Sequence, residues 1–186
     1  MKRIMAVALA GVLAPGVMAP TALAEERVCR GTIGATTVDN LRVPSGAACT
    51  LNGTKVEGTI KVESNAKLTA NGMRVIGNIQ SEGFQAIAVK EVSKVGGSVQ
   101  RKNGQSDGSG KVVSTRINDD LQFFSTEALM VRANNTILGN LQAVQNTGGL
   151  VISGNTIAEN LQCKNNPPPT GGGNKAGDKE DQCAAL

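Results

Sequence analysis

Histidine, tyrosine and tryptophan are absent from this chain, and phenylalanine occurs only three times. Without histidine, Ser-His and Cys-His nucleophile arrangements are excluded. No CxxC spacing occurs, so the four cysteines do not read as a metal or redox centre. A calcium-binding Gly-Asp nonapeptide repeat is missing too. Sugar-binding surfaces commonly offer exposed aromatics, and only Phe84, Phe123 and Phe124 could serve. Nucleic-acid binding calls for a strong basic field with aromatic stacking platforms, and the chain has neither. No cofactor motif is present. Beyond residue 24 there is no helical periodicity and no second long apolar run.

The first 24 residues read as an address. Lys2 and Arg3 form a basic start, Ile4 to Leu13 an apolar stretch, and Ala22-Leu23-Ala24 an A-x-A cleavage site. This predicts a signal peptide over 1–24 and a mature chain from Glu25. The rival reading is a membrane anchor, but Pro15 and Pro20 interrupt the stretch. Its uninterrupted apolar run falls short of the ~20 residues that span a bilayer. Loss of Lys2 and Arg3 takes the net charge from +4 to +2. The expected product is exported to the extracellular space without a transmembrane segment.

What the mature chain does contain is a repeat. Six copies begin at Val56, Val75, Val95, Ile117, Ile137 and Ile157, at intervals of 19, 20, 22, 20 and 20 residues. A period near 20 predicts a solenoid of stacked coils. Gly, Asn, Thr and Val are plentiful, and short apolar runs alternate with turn residues, which is the composition of short strands and tight turns. Parallel crossovers are almost always right-handed. The expected fold is therefore all-β, a right-handed parallel β-helix of seven to eight coils over residues 25–166, with a Pro/Gly-rich crossing and cap coil over 167–186.

Counting the first residue of each copy as position zero, positions zero and four are always Val, Ile or Leu and are expected to point inward. Position two reads Gly58, Gly77, Gly97, Asp119, Gly139, Glu159. On simple alternation it shares the inward face, and glycine there suggests a positive φ or a close backbone approach. Position three, from Thr59 to Asn160, is a column of small polar residues suited to bonding each other or local backbone. Position five, from Lys61 through Gln80 to Gln162, predicts an outward ladder. A second apolar stretch follows in each coil, as in Ala86 to Val89 or Leu150 to Ile152. The segment Val38 to Val43 resembles the pattern with one residue deleted and is read as the first, capping coil.

Cys29 to Cys49 and Cys163 to Cys183 are each 20 residues, one coil. Neighbouring parallel strands lie about 4.8 Å apart, within reach of a disulfide, whose Cα atoms are roughly 4.4–6.8 Å apart. Export favours such bonds, so Cys29–Cys49 and Cys163–Cys183 are expected to staple the two ends. Residues 177–183 align with 157–163, which sets Gln182-Cys183 against Gln162-Cys163 as a polar version of the repeat. Capped ends argue for a monomer.

Two candidate sites emerge. The residue before each copy is Lys55, Arg74, Lys94 and Arg116, then Thr136 and Thr156. Four cations at coil spacing form a stripe able to bind an acidic polysaccharide or cell-envelope polymer; the competing reading is a merely solvated face. The coil after Val95 is two residues longer and carries the polar run Arg101 to Lys111, read as a loop that breaks the strand. Arg116, Asp119 and Asp120 follow it, a combination that could abstract a proton beside a carboxylate as polysaccharide lyases do. Against that, Asp119 and Asp120 take the turn and ladder positions of other coils.

Val56 to Ile60 and Asn71 to Ile79 resemble the repeat of bactofilins, the polymer-forming bacterial β-helix proteins. The chain is also similar to small secreted bacterial β-helix proteins that end in a Gly-rich segment and Gln-Cys, here Gln182-Cys183. The resemblance implies a β-helix with a structural or binding role; the sequence itself offers no evidence for a cofactor. The bactofilin likeness adds filament formation as a third reading beside glycan binding and lysis.

Overall fold

The structure, a computed structural model, describes residues 25–105, 109–127 and 129–186. The proposed signal peptide lies outside them. Among the described residues there is no helix, and so none long and apolar enough to cross a membrane.

Three parallel sheets wrap one core, and each coil contributes one strand to each sheet until the ends. The first sheet has nine strands: Glu26–Val28, Asn40–Val43, Ile60–Val62, Ile79–Glu82, Val99–Lys102, Leu121–Phe124, Leu141–Val144, Asn160–Lys164 and Asp178–Asp181. The second has eight, from Gly31–Ile33 to Thr170–Gly172. The third has seven two-residue strands, from Thr37–Val38 to Thr156–Ile157. Register in the first sheet runs Leu41, Ile60, Ile79, Val99, Leu121, Leu141, Leu161, Lys179, steps of 19, 19, 20, 22, 20, 20 and 18 residues. The chain is a parallel β-helix of about eight coils.

The anchors at positions zero and four are buried in all six copies. Each such side chain contributes roughly 1.5–3 kcal/mol when fully buried, so the stacked lumen carries most of the stability. The two anchors, however, do not share a strand. Position zero ends a strand of the third sheet and position four begins one of the first in five of the six copies (in the sixth the strand starts one residue earlier, at Asn160), with a corner between. Strict alternation therefore fails at position two, where Asp119 and Glu159 are exposed rather than inward.

The glycines at this corner have ordinary φ values; only close approach requires them. A Cβ on Gly77 would lie 2.6 Å from the Gly58 carbonyl oxygen, and one on Gly97 would strike the Asn78 amide oxygen. Positive φ occurs instead at the other two corners. Gly83, Asn103, Ser125, Gln145, Asn165 and Asp181 turn the chain after the first sheet; Gly53, Gly72, Ser114, Asn134, Gly154 and Gly173 turn it after the second. Gly, Asn and Asp tolerate the left-handed region best, which explains most of both columns.

One coil breaks this rule. Between Lys90 and Ser93, two left-handed residues stand where the preceding coil has Gly72 alone: Glu91 at φ 60° and Val92 at φ 58°. A β-branched residue is the least suited to that conformation, and Val92 is 74 % exposed, so no packing compensates. Left-handed φ costs a non-glycine residue roughly 1–2 kcal/mol, partly offset by the added freedom of an unfolded glycine. Val92→Gly should therefore stabilise the protein by about 1 kcal/mol, read as a higher urea midpoint. An unchanged or lower midpoint would mean that the strain is not there.

Both disulfides join neighbouring coils as the spacing requires, with Cα–Cα distances of 5.6 Å for Cys29–Cys49 and 5.3 Å for Cys163–Cys183. The alignment of the last coil is corrected by two residues. Glu180, not Gln182, pairs with Gln162, because the final coil is the shortest. Thr170–Gly172, read as part of a crossing, forms a strand against Val151–Ser153. The C-terminal residues fold over that end: Leu186 is nearly buried, and its carbonyl accepts bonds from Asn174 Nδ2 (3.2 Å) and Lys179 Nζ (3.0 Å).

The run Arg101 to Lys111 is also not one loop. Arg101 and Lys102 continue the first-sheet strand, and Ser109–Val113 is a second-sheet strand paired with its neighbours. Arg101 occupies the inward column of Val62, Ser81 and Phe123, so alternation sends it into the lumen.

Candidate functional site

The third sheet builds the basic stripe. Register stacks Thr37, Lys55, Arg74, Lys94, Arg116, Thr136 and Thr156 in one file. Each strand is only two residues long, its second residue is an inward anchor, and the first must then face out. Parallel spacing sets consecutive cations about 4.8 Å apart at the backbone. Arg74, Lys94 and Arg116 are exposed. Lys55 is half-buried and pairs with Glu57 at 2.8 Å, and Arg116 Nε donates to Asn118 Oδ1 at 3.2 Å. A shallow groove of about 440 Å³ runs along Arg74, Lys94 and Arg116. Half-exposed Ile76 lines it, and Gly96 lies where a Cβ would collide with the Ile76 carbonyl.

The position-five ladder is present. Gln100, Gln122, Gln142, Gln162 and Glu180 are joined by side-chain bonds, each amide nitrogen donating to the next oxygen at 2.6–3.1 Å. Beside its beginning lies a larger groove, about 590 Å³, lined by Lys61, Glu63, Glu82 and Lys102 among others. Its charges are of both signs. A bond from the Ser45 N–H holds the Glu63 carboxyl below its usual range, with help from the Ser45 hydroxyl and Arg42. The groove is large but offers no field of one sign, unlike the stripe.

Arg116, Asp119 and Asp120 lie on one coil. Both carboxylates are engaged by neighbouring coils: Asp119 accepts from the Ser98 hydroxyl at 2.7 Å, and Asp120 accepts from the Asn140 N–H at 2.7 Å and its amide at 3.2 Å. Among the described residues, no group of three or more acidic or cysteine side chains could hold a metal ion.

Two features escaped the pattern of the sequence. Buried polar files line the corners: Thr115, Asn135, Asn155 and Asn174 along one, Thr126, Asn146 and Asn166 along another. Each Asn side-chain oxygen accepts from the backbone N–H of the preceding coil, as Asn155 Oδ1 does from Asn135 N at 3.1 Å. The second feature is a pair of buried arginines. Arg101 and Arg132 are both fully enclosed, their guanidinium carbons 4.5 Å and 4.6 Å from the ring centres of Phe84 and Phe123. Burial pushes Arg101 down to about 9; burial, then repulsion from Arg101, pushes Arg132 well below the usual arginine range. Continuing the inward column through the longer coil finds Arg101; reading that coil as loop hides it. Comparison with protein-family models, with curated proteins and with solved structures finds no match to this chain.

Proposed function

We propose that this is a secreted, non-enzymatic bacterial β-helix protein that binds acidic polysaccharide of the extracellular matrix or cell envelope along the Lys55-Arg74-Lys94-Arg116 stripe. The observation that carries this reading is the strict register of those four residues in one file of the third sheet. A linear polyanion lying parallel to the helix axis would meet a cation at each of four successive coils, and field lines from a row of like charges attract it before contact. The Ile76 side chain and the open strand surface supply an apolar floor. Two end-stapling disulfides suit an oxidising compartment. Engagement of Asp119 and Asp120 by Ser98 and Asn140 favours binding over lysis, and the covered C-terminal end favours action as a monomer over filament growth.

The test is retention of the purified protein on immobilised polygalacturonate. The wild type should be held at low salt and released as salt rises. Changing all four cations to glutamine should abolish retention while leaving the melting temperature nearly unchanged, since these side chains are on the surface. Equal retention of the fourfold variant would remove the stripe from consideration. Unsaturated products released by the wild type, and lost in Asp119→Asn, would revive the lyase reading.

A further inference from the structure

The file of cations also bears on which spacing of negative charge it accepts, an inference that rests on reading the stripe as a polyanion site. Three of its members are not neutralised. Lys55 pairs with Glu57 at 2.8 Å, whereas Arg74, Lys94 and Arg116 take part in no ion pair among the described residues. The outward column beside them, one residue after each anchor, reads Glu57, Ile76, Gly96 and Asn118, so no acid stands there next to the last three cations. Other nearby acids are engaged. Glu91 pairs with Lys90 at 3.7 Å, and Asp119 and Asp120 accept from Ser98 and Asn140.

Consecutive cations stand ~4.8 Å apart at the backbone, inside the ~8 Å over which physiological salt screens charge. Each feels its neighbours, and the free row repels itself. A polyanion relieves that repulsion fully only if it brings one charge per coil. A pyranose in an extended 1,4-linked chain is about as long as one strand spacing, so a carboxylate on every sugar supplies that density. A polymer with one carboxylate per disaccharide would meet Arg74 and Arg116, two strand spacings or ~10 Å apart, and leave Lys94 unopposed. Arg and Lys carry their charges on long flexible stems, which lets them reach carboxylates on either edge of a chain lying in the groove. Arginine holds a carboxylate by two parallel bonds, and lysine acts as a point charge. The charged length is also bounded. Thr37 precedes Lys55 in the file and Thr136 follows Arg116.

We propose that the stripe selects a run of about four contiguous uronic acid residues, each with a free carboxylate, over polymers that carry one carboxylate per disaccharide.

The test is calorimetric titration of the purified protein at low salt with galacturonate oligomers of two to six sugars and with a hyaluronan octasaccharide. The octasaccharide carries as many carboxylates as tetragalacturonate at half the density, so the comparison isolates spacing. Affinity should rise with galacturonate length to about four sugars and then level off. Tetragalacturonate should bind roughly three- to tenfold tighter than the octasaccharide, the effect of one or two additional exposed ion pairs. Lys94→Gln leaves Arg74 and Arg116 two coils apart. It should bring the two ligands to within about twofold of each other, chiefly by weakening galacturonate. Lys94 is exposed, so its melting temperature should stay the same. Lys94→Met, which removes the charge and keeps an unbranched stem, should behave alike. Equal affinity of the wild type for both ligands would overturn the selection and leave the stripe standing as a polyanion site. So would full retention of the preference in both Lys94 variants. Binding of neither ligand, by a protein that polygalacturonate also fails to retain, would overturn the stripe reading and this inference with it.

Discussion

Asn155→Leu is expected to destabilise the protein by about 4 kcal/mol, a large share of the ~5–15 kcal/mol that separates folded from unfolded domains. The Asn155 side chain is fully buried and makes four bonds. Its oxygen accepts from Asn135 N at 3.1 Å and Asn135 Nδ2 at 2.9 Å; its nitrogen donates to the Arg132 carbonyl at 3.1 Å and to Asn174 Oδ1 at 2.8 Å. Leucine has nearly the same shape and none of these groups. The Asn135 N–H would be stranded out of reach of water, and each stranded buried group costs roughly 1–3 kcal/mol. Gln142→Leu is the informative comparison. That side chain also links two coils, accepting from Gln122 at 2.8 Å and donating to Gln162 at 2.6 Å, but on the partly solvated outer face. Water can replace those bonds, so its loss should cost under about 1 kcal/mol. Urea unfolding of both variants measures the difference. Equal costs would show that the inner file is hydrated and that its amides do not hold the corners.

This contrast also explains what was legible beforehand. The period, the anchors, the outward glutamine ladder and the disulfide partners all follow from a spacing that repeats, because stacking turns sequence period directly into neighbourhood. The file of Lys55, Arg74, Lys94 and Arg116 is legible for the same reason: each residue precedes a buried anchor, alternation turns it outward, and the period stacks it on the next. Corners were not readable. Position two was assigned inward because Val56 to Lys61 looks like one alternating strand, whereas the chain turns between Val56 and Ile60 and passes from one sheet to another. The left-handed columns are chemically mixed, Ser125 and Gln145 standing in line with Gly83, so composition does not mark them. The buried asparagines were hidden by their polarity. An Asn beside a turn ordinarily reads as solvated, and only the backbone N–H groups left over at a corner, which must be bonded when buried, reveal why Asn135, Asn155 and Asn174 point inward. The last coil was misaligned by two residues because Gln182-Cys183 copies Gln162-Cys163 in type but not in register. Gln182, itself exposed, instead closes the end of the buried corner file, accepting from the Asn166 N–H at 2.8 Å.

Replacing Cys163 and Cys183 by serine should open the C-terminal coils selectively. The bond closes a loop of 20 residues, for which the chain-entropy treatment gives roughly 3 kcal/mol. In a compact domain that loss would be shared by the whole cooperative unit. A solenoid is nearly one-dimensional, each coil held by its two neighbours and an end coil by only one. The strand Asp178–Asp181 pairs solely with Asn160–Lys164, and Leu186 caps the lumen only while that strand stays docked. Once the staple is gone, the last coil can detach without disturbing the middle. Amide exchange should therefore accelerate by about two orders of magnitude for the amides of the last coil, the rate equivalent of ~3 kcal/mol, while Ile79 and Val99 keep their protection. The matching Cys29→Ser/Cys49→Ser change should loosen the first coil and leave the C-terminal one intact. Uniform loss of protection along the chain in either variant would mean that the coils unfold as a single unit, and that the staples act on the global equilibrium rather than on fraying ends.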